Sequence, residues 1–251
     1  MPLGVGIGQV VGLVRETRGL ESANPWIAIT GDGAAELAAA LAEGGEAGAV
    51  RVGGDRSQAS IAIFVLDGAP SAAEAAALRA LSRAGAGVIV VQRGTGRVPY
   101  VLPEDVLDIE SGEVPFARLV TAIARAAGED APSLAARLPV LRPAIARRLI
   151  ARTALTNVAV AASTGSEKAQ MPVLTLAQSR MVLLLGVSRG ETLPQDPQQL
   201  ALTAAPGILG CIGMGLAARA LVRRLPVGGP VVRAAVAYAG TQALGAARLR
   251  I

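Results

Sequence analysis

The chain lacks histidine, has one cysteine and one lysine, and contains few aromatic residues. Only 2% of its 251 residues are aromatic and 52% are hydrophobic, so its core must be built from Ala, Val, Leu and Ile. The absence of histidine excludes a histidine-centred general base and the usual zinc ligand. Cys211 has no cysteine to pair with and no histidine to activate it, so we interpret it as an inert small hydrophobe.

Charge is distributed unevenly along the chain. Residues 1–131 carry 10 basic and 16 acidic side chains, a net of −6, and residues 132–251 carry 14 basic and 3 acidic ones, a net of +11, which together make +5. A half that is both basic and apolar suits an anionic membrane surface or an acidic partner protein. Nucleic acid is disfavoured because base stacking uses aromatic side chains among the basic ones, and this half has only Tyr238.

Strand and helix patterns alternate between residues 25 and 131. Apolar runs predict strands at 26–30, 50–52, 60–66, 88–92 and within 98–109. Helical patterns occupy 34–42, 71–84 and 115–127, and Ser71 with Glu74 has the spacing of a capping box. Such alternation predicts β-α-β units and a parallel sheet with helices on both faces.

Strand patterns disappear after residue 131. Helices are predicted at 134–163 (interrupted by Pro139 and Pro143), 172–187, 198–222 and 231–247. The sequence therefore predicts an α/β fold, a parallel sheet with flanking helices followed by an all-α helical module. Its predicted organisation is an N-terminal flexible or docking arm at 1–24, an α/β domain at 25–131 and a helical domain at 132–251.

A membrane span is one interpretation of the helical half. Residues 200–218 hold 19 uncharged residues, long enough to cross a bilayer, and Arg219, Arg223 and Arg224 follow as a basic flank. The return segment between Arg233 and Arg248 has only 14 uncharged residues. A transmembrane hairpin at 200–247, an interfacial hairpin and a buried helix therefore remain alternatives.

The turn after the first predicted strand has the spacing of a phosphate-binding loop without its chemistry. Such a loop needs backbone amides around phosphate, a lysine for the β- and γ-phosphates and a hydroxyl on magnesium. Gly31 and Gly33 give the turn, but Ala34 and Ala35 stand where the lysine and the hydroxyl would be required. We interpret these four positions as vestigial.

A second stretch resembles a GTPase motif in position. In Ras-like GTPases an apolar strand is followed by Asn-Lys-x-Asp, whose aspartate binds the guanine ring. Here Gln92, Arg93, Gly94 and Thr95 occupy those four places, and Thr95 offers no carboxylate. The order of both stretches resembles a GTPase domain, and the resemblance implies one that has lost its nucleotide chemistry.

The helical half carries a more specific set of residues. Pro172, Leu174, Thr175, Leu176, Gln178 and Met181 are followed later by Ala237, Tyr238, Gly240, Thr241 and Gly245. This pattern resembles the YcjF-type domain of unknown function that is found attached to bacterial GTPases, over roughly residues 145–250. The resemblance implies a preceding GTPase-like domain and membrane association, but no reaction. From the residues alone, Thr175, Gln178 and Tyr238 are expected to cap and join buried helices, with a ligand site as the alternative.

These observations favour a non-catalytic pseudo-GTPase scaffold or regulatory protein. We expect no catalytic residues, no metal and no cofactor, since no nucleophile–base pair or ligand cluster is visible, and we interpret Glu104, Asp105 and Asp108 as a solvated loop. Expected partners are a protein, with an intact GTPase as candidate, an anionic membrane surface or a second copy of the chain. The expected location is cytoplasmic, peripheral to the inner face of the cytoplasmic membrane. The alternatives are an atypical NTPase that binds nucleotide through the amides of residues 31–33, and an integral membrane component.

Overall fold

A computed structural model describes residues 7–94, 96–109, 114–162, 167–194, 199, 213 and 229–250 of the chain. Within these residues the strands are β1 (Ile27–Gly31), β2 (Val50–Val52), β3 (Ile61–Asp67), β4 (Gly87–Arg93) and β5 (Val106–Ile109). They form one parallel sheet in the order β2-β1-β3-β4-β5. The predicted α/β fold with a parallel sheet is confirmed.

The described helices after residue 30 correspond to predicted helices, whereas the helix at Ile7–Ser22 lies in the stretch predicted to be a flexible or docking arm. The described helices are α1 (Ile7–Ser22), α2 (Ala34–Leu41), α3 (Ala72–Arg83), α4 (Phe116–Ala126), α5 (Ala131–Arg137), α6 (Arg142–Ala162), α7 (Glu167–Ser188) and α8 (Gly229–Arg250). The predicted capping box at the start of α3 is present, with Ser71 as the N-cap. α7 begins before the predicted residue 172 and includes Pro172 within the helix.

The central strands of the sheet are apolar and buried on both faces. In β3 every residue from Ile61 to Leu66 is buried, and only Asp67 at the carboxyl end is exposed. Phe64 and Leu66 pack with Leu78 and Leu81 of α3. Burying each large side chain in this way stabilises the fold by about 1.5–3 kcal/mol relative to leaving it exposed. This apolar core therefore fixes the strands whose carboxyl ends carry the charged residues described below.

The described residues form two compact units. One contains Ser22–Ile145 with Ser188–Gly190, and the other contains the described residues of Met1–Glu21, Ala146–Val187 and Glu191–Ile251. α5 lies in the unit of the sheet, where Arg137 pairs with Glu46. The three domains predicted with boundaries after residues 24 and 131 stay a prediction about organisation.

In the second unit, residues 181–187 of α7 are all buried. The described part of the predicted N-terminal arm forms α1, and its Leu13 packs with Leu183 and Val187 of α7. Glu16 of α1 also pairs with Arg180. The predicted helix at 198–222 lies outside the described residues, apart from positions 199 and 213.

Candidate functional site: the carboxyl edge of the sheet

Charged side chains follow three neighbouring strands where each strand ends. Asp32 follows β1, Asp67 ends β3 and Arg93 ends β4. In an open α/β sheet, ligands bind outside the carboxyl ends of the strands, where the strand order reverses. Here that point lies between β1 and β3, because β1 pairs with β2 on one side and with β3 on the other. This edge is therefore the natural candidate site.

Arg93 lies between the two carboxylates. Its Nη1 is 3.0 Å from Asp32 Oδ2 and 3.8 Å from Asp67 Oδ1. These groups are exposed to solvent, and ion pairs of this kind contribute less than about 1 kcal/mol each. The cluster therefore matters less for stability than for the charge that it places at this edge. The sequence motif included Arg93 but did not predict its pairing with Asp32 and Asp67, which the charged residues at the ends of neighbouring strands could have indicated.

Gly31 is required by the sheet itself. Its φ is +113°, and a Cβ at this position would lie 1.9 Å from the carbonyl oxygen of Val65 on β3. Gly33 has a φ of +74° and is the N-cap residue of α2. A Cβ there would meet Arg93 Nη2 at 3.4 Å and Glu36 Oε2 at 3.6 Å. The turn thus carries a guanidinium and a carboxylate close to its backbone.

The two alanines differ in exposure. Ala34 is buried at the start of α2, whereas Ala35 is exposed. Glu36 lies in the first turn of the same helix. The positions that would carry an ammonium and a hydroxyl in a working loop thus present one buried and one exposed methyl group, with a carboxylate next to them.

Gln92 joins two loops rather than facing solvent. The side chain is buried, and its Nε2 donates hydrogen bonds to the carbonyl oxygens of Gly68, at 2.9 Å, and Gly96, at 3.1 Å. Gly96 allows this approach, because a Cβ there would lie 2.8 Å from the backbone nitrogen of Ala69. Thr95 lies outside the described residues. Gln92 therefore holds the loop after β4 against the loop after β3.

The residues of the helical-domain motif lie in the other unit. Thr175, Gln178 and Thr241 are buried, whereas Tyr238 is exposed and Pro172 is half-buried in α7. Thr241 Oγ1 accepts a hydrogen bond of 2.9 Å from Asn157 Nδ2 and donates one of 2.7 Å to the carbonyl oxygen of Ala237. Thr241 thus joins α8 to α6.

The acidic group near β5 is tied to an arginine. Asp105 Oδ1 lies 2.6 Å from Arg125 Nη2 of α4, and Arg125 also donates to the carbonyl oxygen of Glu104. In the part of the chain that the structure describes, no three His, Cys, Asp or Glu residues are grouped to hold a metal ion.

None of the described helices combines the length and the hydropathy needed to cross a bilayer. Of the predicted hairpin at 200–247, the structure describes residue 213 and residues 229–247.

Comparison of the chain with protein-family models, with curated proteins and with solved structures gave no significant match in any of the three. The resemblances to GTPases and to the YcjF-type domain therefore rest on the motif residues themselves.

Proposed function

We propose that this chain is a non-catalytic pseudo-GTPase, a scaffold or regulatory protein with a GTPase-like α/β half. The observation that carries the proposal is the charge at the carboxyl edge of the sheet. Asp32, Asp67 and Glu36 bring three carboxylates to the region where a triphosphate would lie, and Arg93 is the guanidinium among them, already paired with two of these carboxylates. An incoming polyanion would have to compete with them for that cation.

The groups that promote phosphoryl transfer have no counterpart at this turn. Catalysis of this kind depends on cations that neutralise charge on the transferred group and on a coordinated magnesium ion. Ala34 and Ala35 offer neither an ammonium nor a hydroxyl, and Ala34 is buried. The α/β half would then bind a partner protein through its surface rather than catalyse a reaction.

The charge asymmetry supports a role in assembly. We propose that the acidic half binds a partner protein, for which an intact GTPase is the candidate, and that the basic helical half contacts an anionic membrane surface. Opposite charges on two regions of one chain favour two different partners, since complementary potentials guide association and exclude wrong pairs.

Isothermal titration calorimetry tests the non-catalytic assignment. Titration of the full chain with GTP and with ATP, each with Mg²⁺, is expected to show no binding tighter than about 100 μM. Micromolar binding to the unaltered chain would overturn the proposal. If Arg93→Gln abolished such binding while the neighbouring exposed Arg97→Gln preserved it, the atypical NTPase would be the correct alternative.

A further inference from the structure

α6 carries a basic and apolar surface that is exposed to solvent. Its 21 residues include four arginines and no acidic residue. Arg148, Arg152, Leu155 and Ala159 are exposed, and we name these four residues the α6 outer face. Their spacing of four, three and four residues places them on one side of the helix.

The opposite side of α6 faces the core of its unit. Ile150, Ala154, Asn157 and Ala161 are all buried. Ile150 packs with Met181 and Leu185 of α7, and Asn157 bonds to Thr241 of α8. The described packing contacts of α6 are therefore made by its inner side, whereas the four residues of the outer face are exposed.

The described acidic side chains of the same unit have partners of their own. Glu16 pairs with Arg180, Glu191 pairs with Arg248, and Glu21 accepts a hydrogen bond from the backbone nitrogen of Leu193. Among the described residues, no carboxylate forms an ion pair with Arg148 or Arg152. The positive charge of the outer face is therefore not neutralised by these carboxylates.

Leu155 distinguishes among anionic partners. It is 64% exposed and lies between the arginines and Ala159 along the face. A nucleic acid would leave this leucine without an apolar contact, and α6 has no aromatic side chain for stacking. A bilayer surface offers anionic headgroups to the arginines and an acyl layer to the leucine at slightly greater depth.

We propose that the α6 outer face docks on an anionic phospholipid surface, with Arg148 and Arg152 among the headgroups and Leu155 inserted below them. This inference rests on the membrane contact in the proposed function and assigns it to specific residues. It is independent of nucleotide binding, so calorimetry with GTP and vesicle binding can fail separately.

Vesicle co-sedimentation of the full chain tests the assignment. The protein is expected to bind vesicles of phosphatidylcholine mixed with phosphatidylglycerol, and to bind pure phosphatidylcholine much more weakly. Replacement of both arginines, Arg148→Gln with Arg152→Gln, should weaken binding about 30-fold, since each basic residue near such a surface contributes about 1 kcal/mol. The matched control, Arg83→Gln with Arg118→Gln, removes the same charge from exposed positions in the other unit and should have little effect.

The apolar contact has its own pair of variants. Leu155→Ser should weaken vesicle binding about tenfold, from loss of part of the free energy of burying a leucine. Leu102→Ser changes a leucine of similar exposure, 60%, in the other unit and should leave binding unchanged. Far-ultraviolet circular dichroism checks that each variant is folded.

Several outcomes would overturn the inference. If the arginine variant bound vesicles as tightly as the unaltered chain, membrane contact would stand but lie elsewhere. No binding to anionic vesicles would remove the membrane contact altogether. Tight binding to duplex nucleic acid that needed both arginines but not Leu155 would assign the face to nucleic acid.

Discussion

At the scale of single residues, the glycines of the candidate loop serve the sheet. Gly31 resembles a phosphate-loop glycine in the sequence, yet its positive φ and the nearness of the Val65 carbonyl oxygen explain it without a ligand. Arg93 likewise has partners within the chain, Asp32 and Asp67. Both residues lie at the carboxyl edge of the sheet, and the contacts that account for them come from neighbouring strands.

Replacing Gly31 should destabilise the α/β unit strongly. Gly31→Ala places a Cβ 1.9 Å from the Val65 oxygen in a backbone conformation that L-residues rarely adopt, so we expect a loss of about 3 kcal/mol or more in the free energy of unfolding. Gly54→Ala is the matched control, because its φ is +76° but nothing lies within 4 Å of the added Cβ; about 1 kcal/mol is expected there. Urea unfolding measures both, and equal losses would contradict the steric argument.

At the scale of elements, α3 shows how local sequence determines a helix end. Ser71 Oγ donates to Glu74 Oε2 at 2.7 Å, and the Ser71 backbone nitrogen donates to the same oxygen at 2.8 Å. These hydrogen bonds, from the Ser71 side chain and then from its backbone, lower the pKa of Glu74. The signal was readable in the sequence because all partners lie within four residues.

This helix start should depend on pH. Since the folded-state pKa of Glu74 is lowered, its stabilising effect is complete above the unfolded-state value of about 4.3 and disappears as pH falls through the folded-state pKa. The unaltered chain should therefore lose stability relative to Glu74→Gln as the solution is acidified through this window. Denaturant unfolding at a series of pH values measures the difference, and parallel profiles would contradict the prediction.

α6 and α8 illustrate a contact that depends on two distant elements. A Cβ on Gly245 would lie 2.5 Å from Ile150 Cγ1, so the two helices approach closely at that point. Asn157 and Thr241, the hydrogen-bonded pair, are 84 residues apart in the chain. The motif residues Thr241 and Gly245 were visible in the sequence, whereas the identity of the residues opposite them was not.

A double-mutant cycle should detect this pair. Asn157→Ala and Thr241→Val are each expected to destabilise the helical unit by about 1–3 kcal/mol, with a coupling energy of about 1 kcal/mol between them. Thr121→Val is the control, because Thr121 makes the same hydroxyl-to-carbonyl bond within α4 but is exposed. Additive effects of Asn157→Ala and Thr241→Val, measured by thermal unfolding, would argue against a coupled contact.

At the scale of the whole molecule, nucleotide binding can be measured as an increase in the stability of the folded chain. A ligand at 100 times its dissociation constant would stabilise the folded chain by about 2.7 kcal/mol. The calorimetric expectation therefore has a second readout: GTP with Mg²⁺ should leave the unfolding temperature unchanged. A clear rise in the unfolding temperature would contradict the pseudo-GTPase proposal, as micromolar binding in calorimetry would.

The amino-acid sequence by itself determined the strands, the helices after residue 30 and the α/β architecture, because apolar periodicity, capping residues and turn glycines act over a few residues. The helix α1 was not predicted. Only the tertiary structure decided which strand ends meet. Arg93 and Asp32 are 61 residues apart, and their pairing follows from the order of parallel strands. In the same way, the packing of α1 on α7 depends on contacts across more than 150 residues, for which no local pattern carries a signal.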